Sequence, residues 1–362
     1  MNKRRIVILY VLAALALGAF LFFQSSPRRA GSPRLASIER EASQTMARAE
    51  NAVRACRLAK GIAIDPQTDP NDTGLIGLPT SSITTSLGSL EAKRTTTNPA
   101  FAGLLVRLIR EAGARRGDVV AVGASSSFPA LVIATLSACR VLGVEPLVIS
   151  SLGSSEWGAN IPEFNWWDIE DCLNASGVLS VHPIAYSIGG IEDRGADMSP
   201  AGRGLIMRQA AGRGVRLLEE PGLEATVAAR MRLTNERAGG RPLKAFINIG
   251  GSWVNLGLDS RVLNVKPGLN MKGGRNEIRD FPPPEKSGMI FAMARRGIPV
   301  IHLLYVKGLC RDYGIPWDPP APKTPSSAPG TNSSVLFFDN AHFFGFRNLS
   351  YQARSRVKRS RR

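Results

Sequence analysis

The fold class this sequence predicts is α/β: a mostly parallel sheet with flanking helices, preceded by one N-terminal transmembrane helix. Three observations predict it. Beyond Pro99, short continuous apolar runs such as DVVAVG and EPLVISS alternate with helical stretches, and strands that are apolar on both sides belong to parallel sheets covered on both faces. The run from Ile6 to Phe23 carries no charge and no proline. A chain of 362 residues with 44% hydrophobic content is long and apolar enough to bury one large core or two moderate ones.

From the N-terminus, a short basic leader (1–5, with Lys3, Arg4 and Arg5) precedes IVILYVLAALALGAFLFF at 6–23. Eighteen helical residues nearly span a hydrocarbon core. The adjoining QSSPRRAGS has no clear small-x-small cleavage site, so an uncleaved anchor is expected rather than a removed signal peptide. Arg28, Arg29 and Arg34 balance the leader's charge, and the shortness of the leader favours translocation of the large C-terminal body. The expected location is therefore the cell membrane, single-pass, with an extracytoplasmic C-terminal domain.

Residues 24–98 read as a Ser/Pro/Arg linker, then a helix through SIEREASQTMARAENAVRACRLAKG leading away from the membrane, then a polar surface loop from Asp65 to Thr97. The α/β domain is expected at 99–316. Its predicted elements are helix FAGLLVRLIREAGA, strand DVVAVG, helix ALVIATLSACRVLG and strand EPLVISS, and the same grammar recurs in LIMRQAAGRG with VRLLEE, in KAFINIGGS, and in GMIFAMARRGIP with VIHLLYV. Residues 317–346 read as a proline-rich connector with an apolar segment, and 347–362 as a basic tail.

The formal charge of +17 lies mainly at the ends. Five basic residues precede residue 31 and seven come after Phe346, without an acid in either stretch, so nucleic acid is not an expected partner. The four cysteines (56, 139, 172 and 310) match no metal-ligand spacing, and the three histidines stand far apart. No metal site and no cofactor is expected. An oxidising compartment would permit cysteine pairing, with Cys139 reading as a small buried hydrophobe in its apolar helix.

GDVVAVGASSSFP, residues 117–129, places three serines between a strand and a helix opened by Pro129. Loops leaving the carboxyl ends of parallel strands are where open α/β sheets bind ligands. Three readings stay open: Ser125, Ser126 and Ser127 hold a carboxylate or phosphate at the helix start; Ser125 or Ser127 is a nucleophile, with Asp168 and His182 as candidate partners in hydrolase order and His302 on a later strand; or Ser126 or Ser127 merely caps the helix.

Two further stretches lie just beyond strand ends. SSLGSSEWGANIPEFNWWDIEDCL gathers tryptophans and carboxylates, and Glu156, Trp157 and Asn160 join the ligand-binding candidates, although acids here also suit helix capping. NIGGSWVNLG adds Gly250, Gly251 and Ser252, but it is neither a Walker motif nor a dinucleotide fingerprint. A tight turn or close backbone approach explains the glycines equally.

The run VVAVGASSSFPALVIATLSACRVLGVEPLVISSLGSSEWGANIPEFNWWDIE resembles the central signature of the poly-gamma-glutamate system protein family, and the similarity extends from the anchor through KAFINIGGSWVNLG to ARRGIPVIHLLYVKGL. In that family the loop more often reads Ser-Gly-Ser-Phe-Pro; here Ser126 stands for the middle glycine. The resemblance implies an accessory role beside the membrane components that make, export or anchor poly-γ-glutamate, with that polymer or γ-glutamyl oligomers and those components as partners. It carries no catalytic residue. A serine-dependent hydrolase or transferase acting on the polymer, or a scaffold that binds only partner membrane proteins, are the alternatives.

Overall fold

Val119–Ser125 contains no charge and no side chain larger than valine, as befits a strand enclosed on both faces, and all seven residues are buried. The computed structural model describes residues 33–319 together with Tyr10, Leu12, Ala13, Leu15 and Gly18. In chain order the elements are α1 (Pro33–Ala59), α2 (Leu90–Thr96), α3 (Ala100–Glu111), β1 (Val119–Ser125), α4 (Pro129–Leu142), β2 (Glu145–Ser151), β3 (Asn160–Ile161), β4 (Phe164–Asn165), α5 (Trp166–Ser176), β5 (Ala185–Ser187), α6 (Pro200–Gly212), α7 (Gly222–Ala238), β6 (Leu243–Ile249), α8 (Trp253–Leu256), β7 (Gly268–Asn270), α9 (Met289–Arg295), β8 (Val300–His302) and α10 (Val306–Tyr313). Six strands form one sheet in the order β5-β2-β1-β6-β8-β7. All neighbours pair in parallel except β7 with β8.

Alternation along β1 assigns its side chains to the two faces. Val120, Val122 and Ala124 join a large core with α1, α3, α4 and α5, while Ala121 packs with Leu223, Val227 and Met231 of α7 and Met289, Ile290 and Met293 of α9. Helix α4 is buried almost all round because α1 and α3 lie over it. The α/β reading with a mostly parallel, helix-flanked sheet therefore holds.

At the N-terminus the outcome differs. Of the apolar run at 6–23 only Tyr10, Leu12, Ala13, Leu15 and Gly18 are described, each helical and exposed; the rest of the expected anchor lies outside the described residues. Among the described residues no helix is long and apolar enough to cross a membrane. Helix α1 does not simply lead away: Ala42, Met46, Ala49 and Val53 form one buried stripe at helical spacing and pack on the α/β core. Cys56 of α1 is bonded to Cys172 of α5, and Cys139 and Cys310 are free and buried.

The polar stretch after α1 is stitched to the body rather than loose. Buried Arg57 donates to the carbonyls of Gly74, Ile76 and Ala63 at 3.0, 2.7 and 2.8 Å, and Asp69 accepts the N–H groups of Thr73 and Gly74. VRLLEE forms a single bridge, Leu217 to Tyr186, instead of a strand. VIHLLYV is strand only as far as His302, since Tyr305 takes a left-handed conformation (φ 59°) and starts α10. Residues 317–319 belong to the body: Arg94 pairs with Asp318, and Trp317 packs on the core. The remainder of the connector and the basic tail lie outside the described residues.

One buried carboxyl on α5 sets a pH dependence. The Tyr186 hydroxyl donates to Glu170 Oε2 at 2.7 Å, yet burial dominates and pushes the Glu170 carboxyl up to about 8, with Arg213 opposing and Asp171 adding to the rise. An unfolded chain ionises glutamate near about 4.3. The stability this group contributes is thus full at low pH and is lost as pH rises through about 8. Glu170→Gln keeps the shape but cannot ionise. We expect its melting temperature to fall less than the wild type's between about pH 5 and about pH 9; parallel pH profiles would exclude Glu170 as the source.

Candidate functional site at the carboxyl edge of the sheet

Register aligns the strand ends: Ser125 lies opposite Ser151, Ser151 opposite Ser187, and Asn248 opposite His302. Loops leaving this edge enclose a cleft of about 660 Å³. Its walls come from residues 85–93, from Ser125, Ser127 and Phe128, from Ser151 to Ser155, from Gly251 to Gly257, and from Leu304 to Lys307, with Trp317 at one side. A larger hollow of about 870 Å³ runs beside β5 and residues 215–220. It contains neither the strand-end serines nor a lysine, so the chemistry converges on the smaller one.

The three serines divide. Ser126 is wholly buried, and its Oγ donates to the carbonyls of Leu152 and Gly153 at 3.0 and 2.9 Å, clipping the β1 turn to the β2 turn. It does not line the cleft. Ser125 and Ser127 do, and Ser125 Oγ accepts the Ser127 N–H at 3.3 Å, while Ser127 Oγ accepts the Ser155 N–H at 2.9 Å. Neither Ser126 nor Ser127 caps α4, whose N-cap is Phe128 with no side-chain capping bond. The proline at N1 needs no N–H acceptor there, which removes much of the demand for a cap.

Two glycines make the edge compact. At Gly250 (φ +80°) a Cβ would stand 3.1 Å from Ser125 Cβ, and the left-handed backbone itself favours glycine. At Gly123 a Cβ would stand 2.5 Å from Asn255 Nδ2, which donates to the Gly123 carbonyl at 3.1 Å. Together they let the residue 250–257 turn lie directly on the end of β1.

Lys93 is the least expected member of the site. It sits on α2, a helix begun by Ser89 as N-cap, and only 3% of it is exposed. Its Nζ donates to the Ser127 carbonyl and, at 2.8 Å, to Ser155 Oγ, and lies 3.7 Å from the Phe128 ring centroid. Burial lowers its pKa to about 7, with Glu156 pulling in the opposite direction. Glu156 does not bond the ammonium; its Oε2 accepts the Gly88 N–H at 3.0 Å. The second lysine of the cleft, Lys307, lies 5.6 Å from the Trp317 ring centroid.

Of the other residues singled out in the sequence, Gly251 and Ser252 line the cleft; Glu156, Trp157 and Asn160 do not. Asn160 is buried, takes the Leu78 N–H, and donates to the Leu78 carbonyl and Thr84 Oγ1, and Trp157 exchanges backbone bonds with Gly77 and Leu78. These residues hold the 77–88 segment as the outer wall. Asp168 completes a capping box with Asn165 at the start of α5 and pairs with Lys60, and His182 is exposed in the irregular segment before β5. Neither lines the cleft with Ser125 or Ser127. His302 is buried at β8, where Asn248 Nδ2 lies 3.0 Å from its Nδ1 and burial holds its pKa down to about 4. Trp166 and Trp167 cover the core; the aromatic rings at the cleft are Phe128, Trp253, Tyr305 and Trp317.

Sequence reasoning missed Lys93, Ser155, Lys307 and these rings. The one local signal was Ser89-Leu-Glu-Ala, a capping serine with an acid in the first turn ahead of helix-forming residues. Nothing in the spacing announced that Lys93 would meet residues 34 and 62 positions later. Comparison with known protein families, with curated proteins and with solved structures finds no match to this chain.

Proposed function

We propose that this protein is a membrane-anchored accessory component of poly-γ-glutamate synthesis, export or surface attachment, and that its strand-end cleft binds the γ-glutamyl chain. The pathway rests on the family resemblance. The observation carrying the binding role is the cleft itself: lysines 93 and 307, the hydroxyls of Ser125, Ser127 and Ser155, and flat aromatic faces line one groove. A γ-glutamyl chain offers a carboxylate on every residue for the ammonium groups and hydroxyls, and amide and methylene surface for the rings. Asp197 is the opposing acid in the lining and biases where along the groove a carboxylate rests. The Cys56–Cys172 bond supports an extracytoplasmic body, because disulfides persist in oxidising compartments.

Titrating γ-glutamyl oligomers into the full-length chain in detergent tests the reading. We expect Lys307→Ala and Ser125→Ala each to weaken binding about tenfold or more, since a hydrogen bond to a charged group contributes about 1.5–3 kcal/mol. Ser126→Ala is expected to lower the melting temperature while leaving affinity within about twofold, because its hydroxyl binds only loop carbonyls. Absence of binding to the wild type at millimolar oligomer, or equal affinity in all three variants, would sink the proposal.

A further inference from the structure

Lys93 and Ser155 form a pair that binding alone does not require. A buried lysine in a structural role ordinarily has a carboxylate partner; this one has a serine hydroxyl at 2.8 Å and a main-chain carbonyl. Ser155 is itself 7% exposed, and both residues line the cleft. Neither Ser125 nor Ser127 has its hydroxyl bonded to an amine or imidazole. Ser127 meets Lys93 through its carbonyl, Ser125 Oγ accepts a backbone N–H, and neither His182 nor His302 lines the groove.

We propose that Ser155 is a nucleophile and Lys93 its general base, making the cleft an acyl-transfer site for amides whose acyl group carries a carboxylate, with the γ-glutamyl amide as the substrate class. The substrate class rests on the binding reading above; the pair itself does not. In the neutral amine the hydrogen bond reverses, Ser155 O–H donating to the Nζ lone pair while a remaining N–H still donates to the Ser127 carbonyl. Nζ takes the hydroxyl proton as Oγ attacks the amide carbonyl, forming an ester and breaking the C–N bond, and the Lys93 ammonium returns that proton to the leaving amine. Water then attacks the ester carbonyl, Lys93 accepts its proton, and Ser155 Oγ leaves with that proton as the carboxylic acid departs. Each cycle consumes one water and restores both residues.

The charges around Lys93 are few. Glu91 and Arg94 share its helix, Glu156 approaches from the β2 turn, and Asp197 and Lys307 stand on other parts of the cleft wall. Glu156 and the Phe128 ring favour the ammonium and burial favours the amine. Burial prevails, bringing the pKa to about 7, so a useful fraction of the base form is present at neutral pH.

The test uses the full-length chain in detergent, a fluorophosphonate serine probe, intact mass and peptide mapping. We expect one adduct, on Ser155, with a labelling rate that rises through about pH 7 to a plateau. Ser155→Ala removes the adduct. Lys93→Met and Lys93→Arg each slow labelling by about 100-fold or more, since neither side chain can take a proton. An adduct on Ser125 or Ser127 instead, unchanged labelling in Lys93→Met, or no wild-type adduct would overturn the proposal. Where Lys93→Met does not fold, the wild-type profile decides, and a flat rate between about pH 5.5 and about pH 8.5 overturns it. Oligomer binding without an adduct refutes the catalytic pair and leaves the binding role standing. An adduct without oligomer binding supports the pair and refutes that role.

Discussion

Replacing Arg230 by methionine is expected to destabilise the body by about 3–5 kcal/mol, because it strips the partner from a buried carboxylate. Arg230 lies on α7 with a 2% exposed side chain, donates to Asp193 Oδ2 at 2.5 Å and to Ser187 Oγ at 2.8 Å, and Asp193 is 3% exposed. Ser187 Oγ also donates to Asp193 Oδ1 at 2.8 Å, so three residues from β5, the turn after it and α7 close one network. For a body of this size the loss amounts to a fall in melting temperature of roughly 5–8 °C. The effect reaches the cleft, since Gly190 and Ile191 of the same turn line it. Glu192 and Asp193 both hold left-handed backbone there (φ 57° and 60°), a conformation that needs outside support. The pairing of Arg230→Met with Asp193→Asn is expected to recover part of the loss, because no buried charge is left alone and asparagine tolerates the left-handed backbone at that position. A single variant melting within about 2 °C of wild type would show the network to be dispensable.

Removing the bridge between α1 and α5 is the second large effect. Cys56→Ser leaves open a loop of 116 residues, for which the chain-entropy account gives a loss of about 5 kcal/mol. Cys56 is only half-buried, so a mild reductant should reproduce the loss in the wild type. Thiol titration supplies the control: two thiols react in denaturant before reduction and four after it, matching free Cys139 and Cys310 and the bonded pair. In the folded chain burial pushes the Cys139 thiol up to about 12 and the Cys310 thiol up to about 11, and the scarcity of thiolate keeps both out of exchange. Equal melting curves for the variant and the wild type would contradict the expected contribution.

The elements legible in the sequence are those whose information is local. Strands β1, β2 and β6 and helices α1, α3, α4 and α9 announce themselves because burial on both faces, or on one stripe, is written in neighbouring residues. Helix α7 does not, since Arg230 sits in its buried face and only Asp193 and Ser187, far back in the chain, make that burial tolerable. VRLLEE has the composition of a strand, yet only Leu217 meets a pairing partner. At the site, the serines pointed to the edge of the sheet where the cleft lies, but two residues of SSS line it and the middle one does not, its hydroxyl being held by the Leu152 and Gly153 carbonyls. Lys93 was hidden in a polar stretch whose purpose depends on residues from other segments.

The bond between Cys56 and Cys172 also constrains the order of events during synthesis. Cys172 is made 116 residues after Cys56, an interval of about 6–23 s at about 5–20 residues per second. Helix α1 emerges with Ala42, Met46, Ala49 and Val53 already aligned on one side, while α3, α4 and α5, which cover that side, do not yet exist. For those seconds a nascent chain displays an apolar stripe with no intramolecular cover, the kind of surface that holdase chaperones retain and that neighbouring chains on a polysome can capture. A pause in translation between residues 60 and 172 would lengthen that exposure.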